Sequence, residues 1–159
     1  TRNQRMNTVA VNHRLAGPQD LDLLLAHVAD FYAEDHIPLH QARVRAGLQA
    51  ILIEPANGAV LILSTPALAF AGYITLGWCY SVEQGGRFAL LDELYLVPAA
   101  RGQGLARPAL ALAADWARDA GAAVIRLEVN HHNARAKALY LSCGYSDDQR
   151  DLLTLDLGA

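Results

Sequence analysis

Apolar residues in the first third of the chain recur at spacings that predict a strand followed by two helices. Residues 8 to 15 favour a strand, and Gly17-Pro18 ends it. Beyond that turn, apolar residues recur every three or four positions, which is the period of a helix with one buried face. Ile37-Pro38 divides this pattern into two helices, because proline lacks the N–H that a continuing helix needs. The inward positions are Leu21, Leu24, Leu25, Val28, Phe31 and Tyr32 in the first helix and Val44, Leu48, Ile51 and Leu52 in the second, which runs from about residue 39 to residue 53.

The middle of the chain is apolar enough to imitate a membrane span. Residues 55 to 82 contain no charged side chain, and a spanning helix needs only about 20 residues. Ser64-Thr65-Pro66 interrupts the stretch, however, and its β-branched and aromatic residues favour strands. The pattern therefore predicts strands at 59–64, 68–80 and 87–97, and no membrane partner.

The second half of the chain alternates helices and strands. One helical stripe is formed by Leu105, Ala109, Leu112, Trp116 and Ala120, and Gly121 ends that helix. A strand at 123–129, a helix at 133–142 and a last strand at 152–157 follow. The order is then β-α-α-β-β-β-α-β-α-β, an α/β (α+β) arrangement without repeats or an interdomain linker. We therefore expect one domain over residues 1–159, with residues 1–7 as a flexible leader.

Composition narrows the classes of protein that fit this pattern. Charged residues are 18% and apolar residues 53% of the chain, which argues against a disordered protein. A net charge of −3 disfavours nucleic acid as the main partner. Cys79 and Cys143 are too few for a disulfide framework and no secretory signal is visible, so we expect a cytoplasmic protein. The histidines at positions 36, 40, 131 and 132 have no metal-binding spacing, and no metal is expected.

The clearest chemical signal follows the strand at 87–97. Gly102 and Gly104 allow the backbone to turn and to approach a ligand closely. The helix behind them offers unpaired N–H groups and a positive dipole end, which together suit a phosphate group. The dinucleotide fingerprint G-x-G-x-x-G fails, because Arg107 occupies the position of the third glycine, and no Walker loop G-x-x-x-x-G-K-[S/T] occurs in the chain.

Two segments together resemble motifs of the GNAT superfamily of N-acetyltransferases. Arg101-x-x-Gly104-x-Ala106 resembles the acyl-CoA loop of that superfamily, Q/R-x-x-G-x-G/A. Residues 133–145 are similar to its second motif, N-x-x-A-x-x-L-Y-x-x-x-G-[F/Y], and the resemblance is clear over about 70–157. It implies the GNAT fold, a mixed and largely antiparallel central sheet flanked by helices, with acetyl-CoA as the cosubstrate.

The resemblance also implies which residues contact acetyl-CoA. The acyl-pantetheine arm would enter between two splayed parallel strands and meet the main chain of Leu94, Leu96 and Val97, with the Leu96 amide as the oxyanion donor. The pyrophosphate would bind the loop amides, with Arg101 and Arg107 adding charge; these amides belong to Gly102, Gln103, Gly104, Leu105, Ala106 and Arg107. On the helix at 133–142, Asn133 would contact the pantetheine arm, and Tyr140 would protonate the departing thiolate as the general acid.

An acidic pair is expected to handle the acceptor amine. Adjacent strand residues point to opposite faces, so only one of Asp92 and Glu93 enters the site unless a bulge intervenes. We expect Glu93 to be the base and Asp92 to attract a cationic amine, with Glu128 as the alternative base; a surface or ion-pair role stays open for either carboxylate. Tyr32 and His36 lie near the break between the first two helices, which borders the acceptor pocket in the implied fold, so both are expected to bind substrate.

Three functions stay open at this point. The first is an N-acetyltransferase in which a small cationic amine attacks acetyl-CoA directly, through a tetrahedral intermediate. The second keeps the fold but acetylates a protein N-terminus or lysine, and the third is a non-catalytic acyl-CoA-binding module. Leu91-Asp92-Glu93 is similar to the acidic stretch of diamine (spermidine/spermine) acetyltransferases, which favours the first. We expect the chain to form a homodimer.

Overall fold

The computed structural model describes residues 9 to 158, which form five strands and four α-helices. In chain order these are β1 (Asn12–Leu15), α1 (Leu21–Glu34), α2 (Gln41–Ile53), β2 (Gly58–Thr65), β3 (Leu68–Ser81), β4 (Gly86–Leu96), α3 (Ala106–Asp119), β5 (Ile125–Leu127) and α4 (Ala134–Ser142). Short 3₁₀ turns at Pro18–Asp20 and Pro98–Ala100 follow β1 and β4. Residues 1–8, which include the expected leader, and residue 159 lie outside the described residues.

The five strands form one sheet in the order β1-β2-β3-β4-β5. Strands β1 to β4 pair antiparallel, whereas β4 and β5 pair in parallel, so the predicted mixed and largely antiparallel α/β fold is confirmed. The parallel pairing joins Ala89–Leu91 to Ile125–Leu127, so β5 ends while β4 continues to Leu96. Among residues 9–158, no helix combines the length and apolar character that crossing a membrane requires.

A β-bulge at Asp92 reverses the side-chain phase of β4. Leu91 lies opposite Leu76 of β3 and Glu93 lies opposite Thr75, so Asp92 is the extra residue of the ladder. Before the bulge, β4 side chains at 89 and 91 face α3, because the buried cluster of position 89 includes α3 residues. After the bulge, the side chains at 93 and 95 face α1 and α2, with which position 95 shares a buried cluster. The bulge therefore places Glu93 on the α1–α2 face of the sheet.

The α1–α2 face is buried as the spacing of apolar residues predicts. Leu24 and Val28 of α1 and Leu48 and Leu52 of α2 are buried, and they form one cluster with Val60, Ile62, Tyr73 and Tyr95 of the sheet. The other predicted inward residues of both helices pack around this cluster. Burial of a Val or Leu side chain stabilises the fold by about 1.5–3 kcal/mol. These contacts hold the end of α1 over β3 and β4, where the candidate site lies.

The buried stripe of α3 differs in part from the predicted one. Leu105 and Ala109 are buried as expected, but the stripe continues through Leu110, Ala113 and Ala117. The predicted positions 112, 116 and 120 are only half-buried. Alanines favour close contact between a helix and a sheet, and the larger Leu112 and Trp116 side chains therefore lie at the margin of the interface, where Trp116 stacks on Trp78 at 5.9 Å between ring centres.

Backbone packing divides the chain into two units, Thr1–Glu128 and Val129–Ala159. The first contains the sheet and α1 to α3, and the second contains α4. The single-domain expectation stays a prediction. The predicted last strand is wrong, because residues 152–157 form no strand and their four leucines are 69–89% exposed. Alternating apolar residues favour a strand, but a strand also needs a partner, and the described residues of the second unit contain no other strand.

Candidate active site

Glu93 lies at the centre of a hydrogen-bonded group of tyrosines in the first unit. The Tyr32 hydroxyl, on the last turn of α1, donates to Glu93 Oε2 at 2.6 Å. The Tyr73 hydroxyl, on β3, donates to Glu93 Oε1 at 2.8 Å. Each carboxylate oxygen therefore accepts one phenolic hydrogen bond and retains capacity for a further donor. The arrangement joins α1, β3 and β4 through a single carboxylate.

Burial is the largest influence on the acidity of Glu93. It raises the pKa of the carboxyl, the hydrogen bonds from Tyr32 and Tyr73 lower that pKa, and the nearby charge of Asp92 raises it. A carboxylate with a raised pKa accepts a proton from an amine more readily than an exposed glutamate does. Burial and the charge of Glu93 raise the pKa of both tyrosines, so the two phenols stay protonated and keep donating.

Asp92 projects from the bulge, next to Glu93 in the chain. Part of its surface faces solvent, yet surrounding protein atoms desolvate the carboxyl enough to raise its pKa. Without the bulge, neighbouring side chains of a strand alternate strictly between faces. The bulge that the sequence analysis allowed for is present, and it leaves Asp92 outside the regular ladder of β3 and β4.

Thr75 provides a second buried polar group beside Glu93. It lies opposite Glu93 in the β3–β4 ladder and is 4% exposed. Opposite residues of an antiparallel pair project from the same face, with Cβ atoms about 4.5–5.5 Å apart. The Thr75 Oγ1 has no hydrogen-bond partner among the described residues. It is therefore an unused donor and acceptor next to the carboxylate.

A second polar cluster joins the end of α1 to the start of the glycine loop. Arg101 Nη2 donates to Glu34 Oε2 at 2.5 Å, and Arg101 Nε donates to the Leu96 carbonyl at 3.0 Å. The Tyr95 hydroxyl donates to Glu34 Oε1 at 3.3 Å. The ion pair is partly exposed and contributes about 1 kcal/mol or less to stability. Arg101, which the sequence analysis assigned to the pyrophosphate, thus bonds to α1 and to the end of β4.

The glycine loop has the geometry that its sequence predicts. Gly102 and Gly104 have φ angles of 72° and 71°, and within the described structure nothing beyond their chain neighbours lies within 4 Å of a Cβ built at either. Leu105, the N-cap of α3, supplies no side-chain acceptor to the first amides of the helix, which begins at Ala106. Gln103 donates to the Ala99 carbonyl at 2.8 Å and so holds the loop in place. A helix N-terminus whose N-cap side chain supplies no acceptor, behind two open glycines, suits a phosphate group.

The backbone of β4 offers hydrogen-bonding groups on the side where β5 has ended. The Val97 N–H donates to the Ala71 carbonyl at 2.9 Å, so Val97 faces β3. Ladder groups alternate in direction along a strand, which turns the N–H groups of Leu94 and Leu96 away from β3. The pantetheine contacts expected at these two positions stay a prediction. The engaged N–H of Val97 argues against it as a donor to the same arm.

Two predicted residues lie outside the Glu93 cluster. His36 is exposed, with a φ angle of 55°, in the turn that ends α1. The Ile37 N–H donates to the Tyr32 carbonyl at 2.8 Å across this turn, a helix-ending geometry in which glycine is common at the position of His36. Glu128 is exposed just after β5. Within the described residues, neither side chain forms a hydrogen bond with Glu93 or its tyrosines.

The second unit carries Asn133 and Tyr140. Asn133 is the N-cap of α4, and its Oδ1 accepts from the Ala136 N–H at 3.1 Å. The Tyr140 ring packs edge-on against Tyr145 with 5.9 Å between ring centres, and the Tyr145 N–H donates to the Tyr140 carbonyl at 3.1 Å. Burial raises the pKa of Tyr140, which keeps its hydroxyl protonated at neutral pH. The motif therefore forms a capped helix, with half-buried Tyr140 in its last turn and half-buried Tyr145 just beyond its end.

Comparison with known families identifies the chain. A model of the acetyltransferase (GNAT) family matches residues 24–145, a range that contains the Glu93 cluster, the glycine loop and Tyr140. The chain belongs to this family. The resemblance drawn from the two sequence motifs is confirmed, and with it the expectation of an acetyltransferase-class enzyme, whereas the diamine branch is not.

Two relatives and one solved structure are similar to this GNAT chain. Uncharacterized N-acetyltransferase YhfO of Bacillus subtilis (strain 168) is 32% identical over 108 residues, 68% of this chain and 66%, just under two thirds, of that protein. Aminoglycoside N(6')-acetyltransferase type 1 of Klebsiella aerogenes is 31% identical over 114 residues, 68% of this chain and 71% of that protein. The integron cassette protein HFX_CASS3, from the mobile metagenome of Cole Harbour Salt Marsh, superimposes with a TM-score of 0.79 at 26% identity, covering 92% of this chain and 91% of that one.

Tyr73 and Thr75 are the residues of the Glu93 cluster in this GNAT chain that the sequence analysis missed. Both lie in the uncharged stretch that predicted strands, and both alternate onto the α1–α2 face. The available signal was their polar atoms at alternate positions of an otherwise apolar strand. Among residues 9–158, no three His, Cys, Asp or Glu side chains come together as a metal site.

Proposed function

We propose that the chain transfers the acetyl group of acetyl-CoA to the primary amine of a small cationic acceptor. The observation that carries this proposal is the Glu93 carboxylate, held by Tyr32 and Tyr73 in a chain of the GNAT family. An ammonium group cannot attack a thioester until it loses a proton. Glu93 combines burial, a raised pKa and spare acceptor capacity, which are the properties that a base for this step needs.

The residues of the glycine loop and of β4 fit acetyl-CoA. We assign the pyrophosphate to the amides from Gly102 to Arg107, because the α3 N-terminus is uncapped and the two glycines leave their approach open. We assign the pantetheine arm to the main chain of Leu94 and Leu96. Acetyl-CoA, when bound, supplies the thioester. The Leu96 N–H is the proposed donor to the carbonyl oxygen as negative charge develops there, and one such donor lowers a barrier by roughly 3–4 kcal/mol.

Tyr140 is the proposed general acid. Its raised pKa means that the hydroxyl carries a proton throughout the neutral range, ready for a departing thiolate. Asn133 stays the proposed contact for the pantetheine arm through its Nδ2 group, since its Oδ1 caps α4. Both assignments depend on the motif that these residues share with the family.

The negative charges of the first unit support a cationic acceptor. Asp92 adjoins the proposed base and adds a negative charge beside it, whereas the charge of Glu34, two residues beyond Tyr32 on α1, is already paired with Arg101. One relative is named as an aminoglycoside N-acetyltransferase, which supports a small molecule over a protein as acceptor. Diamines and polyamines stay candidate acceptors on the likeness of residues 91–93. Tyr32 is the proposed wall of the acceptor pocket, and His36 its proposed outer edge.

Two further assignments complete the proposal. The described cysteines, Cys79 and Cys143, are both free thiols, which agrees with a cytoplasmic location. The four leucines of residues 152–157 are each exposed, and clustered exposed apolar side chains are often covered by subunit contacts, which supports the proposal of a homodimer. Light scattering at micromolar concentration gives the oligomeric state, and a monomer mass would remove that part of the proposal.

The proposal is tested by coenzyme A release with a panel of diamines, polyamines, aminoglycosides, amino acids and peptides. We expect turnover with small amines. Glu93→Gln should lower kcat by about 100-fold, most strongly at low pH, where little neutral amine is present in solution. Asp92→Asn is the matched control, the same carboxyl-to-amide change at the adjacent residue, and it should mainly raise KM for the amine.

The outcomes of this screen separate the three functions. Turnover confined to peptides would replace the small-amine proposal with protein acetylation. Tight acetyl-CoA binding without turnover of any acceptor would indicate a binding module. If Glu93→Gln and Asp92→Asn lowered kcat equally, the assignment of Glu93 rather than Asp92 as the base would be refuted.

A further inference from the structure

We propose that Tyr73 is a positioning residue for the base: its hydroxyl holds Glu93 Oε1, so that Oε2, on the Tyr32 side, receives the proton of the acceptor amine. This inference rests on the proposed function and extends it to a residue outside the family motifs. In this inference, the Tyr73 phenol stays bonded to Glu93 Oε1, whereas the amine can replace the Tyr32 phenol at Oε2. The argument depends on where each tyrosine lies, on the capacity of the carboxylate and on the buried hydroxyl next to it.

Tyr73 is among the most deeply buried residues of the sheet. It is 0% exposed and lies in β3, the central strand of the five-stranded sheet, paired with Ile62 of β2 on one side and Tyr95 of β4 on the other. Its ring also packs at 5.8 Å from the Tyr95 ring. Movement of the Tyr73 hydroxyl would therefore disturb the packed core around its ring, so Glu93 Oε1 has a well-defined donor.

Tyr32 occupies a more open position. It is half-buried on the last turn of α1, and the residues that follow it, from 33 to 40, are all exposed. Its hydrogen bond to Oε2 therefore lies on the side of the carboxylate nearer to solvent. An acceptor amine that approaches Glu93 meets Oε2 first and can share that oxygen with Tyr32 or replace the phenol as donor.

Thr75 provides a second hydrogen-bonding group for the acceptor amine, next to Glu93. Its buried hydroxyl faces the α1–α2 side opposite Glu93 and has no protein partner within the described residues. Buried hydroxyls in folded proteins nearly always have a partner, so an N–H of the amine or a bridging water is the expected one. Glu93 and Thr75 then provide an acceptor pair for the ammonium group, while Tyr73 donates to the oxygen that the amine does not use.

The proton balance of the step is simple. The ammonium N–H bond breaks, its electron pair stays on nitrogen for attack on the thioester, and the proton moves to Glu93 Oε2. The titratable groups that act on Glu93 are the neutral phenols of Tyr32 from α1 and Tyr73 from β3 and the carboxyl of Asp92 from β4. Of these, the two phenols stabilise the carboxylate, and Asp92 destabilises it. Loss of the Tyr73 hydroxyl should therefore raise the pKa of Glu93 and move the acidic limb of the activity profile to higher pH.

The test compares three single hydroxyl deletions: Tyr73→Phe, Tyr32→Phe and Tyr95→Phe. Tyr95→Phe is the matched control for limb position, because Tyr95 is a buried neighbour whose hydroxyl bonds to Glu34 and not to Glu93. We measure kcat against pH at saturating acceptor, and we titrate the Glu93 carboxyl by ¹³C NMR of the enzyme without substrate, assigning the signal by its loss in Glu93→Gln. Thermal unfolding checks that each variant is folded.

We expect Tyr73→Phe to shift the Glu93 titration and the acidic limb upward by about one pH unit, the size typical of one hydrogen bond to a charged group. Its kcat should fall while KM for the amine changes little. Tyr32→Phe should raise KM for the amine more than it lowers kcat, and Tyr95→Phe should leave the limb in place. In the Glu93→Gln background, Tyr73→Phe should have no further effect on kcat.

Two results distinguish this inference from the proposed function. An unmoved Glu93 titration in folded Tyr73→Phe, with Glu93→Gln inactive, would overturn the role of Tyr73 alone. Full turnover by Glu93→Gln would overturn the base assignment itself, whatever the titration shows. A limb shift of equal size in Tyr95→Phe would also overturn the inference, since the effect would then belong to tyrosine packing in general.

Discussion

Gly104→Asp tests the phosphate site with a control that the chain itself supplies. Gly104 has a φ angle of 71°, and Gly85, in the link between β3 and β4, has a φ angle of 77°. At both glycines, nothing beyond the chain neighbours lies within 4 Å of an added Cβ within the described structure. Aspartate at either position therefore meets the same backbone strain and no clash. Only Gly104→Asp puts a carboxylate beside the N-terminus of α3.

The two variants should lose similar stability and differ in cofactor affinity. A left-handed conformation costs a non-glycine residue about 1–2 kcal/mol, which lowers the melting temperature of a chain of this size by roughly 2–8 °C. In Gly104→Asp, the new carboxylate competes for the α3 amides and repels the pyrophosphate. We expect coenzyme A affinity to fall at least tenfold, which corresponds to about 1.4 kcal/mol. Gly85→Asp should bind coenzyme A as the unmodified chain does.

Isothermal titration calorimetry with coenzyme A, together with thermal unfolding of each variant, measures both quantities. Unchanged affinity in Gly104→Asp would move the pyrophosphate away from this loop. An equal loss of affinity in Gly85→Asp would mean that strain at any left-handed glycine weakens binding, and the argument from the α3 N-terminus would then fail. Gly104→Ala, which carries the strain without the charge, should fall between the two.

Two further predictions concern the general acid and the sheet. Tyr140→Phe should lower kcat about 100-fold with little change in KM for acetyl-CoA, whereas Tyr145→Phe, the deletion of the neighbouring buried hydroxyl, should leave kcat within a few-fold in the same steady-state assay. Gly72→Ala should destabilise the fold by about 2 kcal/mol or more in urea unfolding, because its Cβ would lie 2.0 Å from the Tyr95 carbonyl oxygen. Gly77→Ala, on the same strand with no neighbour of this kind within 4 Å among the described residues, should change stability by less than about 1 kcal/mol, and a loss equal to that of Gly72→Ala would refute the steric argument.

The spacing of apolar residues alone predicted most of the helices and strands, because the buried positions of each element are occupied by apolar residues. The predicted strands at 59–64, 68–80 and 87–97 agree with β2, β3 and β4 to within one residue at each end. The predicted strand at 152–157 is also rich in apolar residues, with leucines at alternate positions 153, 155 and 157, and it still forms no strand. The difference is the partner: a ladder depends on another segment of the chain, and a local pattern contains no information about that segment.

The candidate site shows the same division between local and distant information. The glycine loop was predictable because its glycines and its helix start are adjacent in sequence. The support of Glu93 was not, because Tyr32 and Tyr73 reach it from 61 and 20 residues away. The engaged N–H of Val97 depends likewise on Ala71 of the neighbouring strand. Which of Asp92 and Glu93 faces α1 and α2 depends on the bulge. The sequence does not reveal the bulge, because apolar residues occupy both faces of this strand before it.

Because of the bulge, the side chain at position 92 is independent of the packing of the sheet on either side of it. Leu91 and Glu93 keep their partners on β3, so the core and the base stay in register on either side of it. Position 92 alone belongs to neither pairing, and its side chain remains exposed. Its charge and size can therefore change during evolution or engineering without a change in core packing. If Asp92 attracts the acceptor as proposed, acceptor preference could be changed by substitution at this position without loss of the proposed chemistry or of the stability of the sheet.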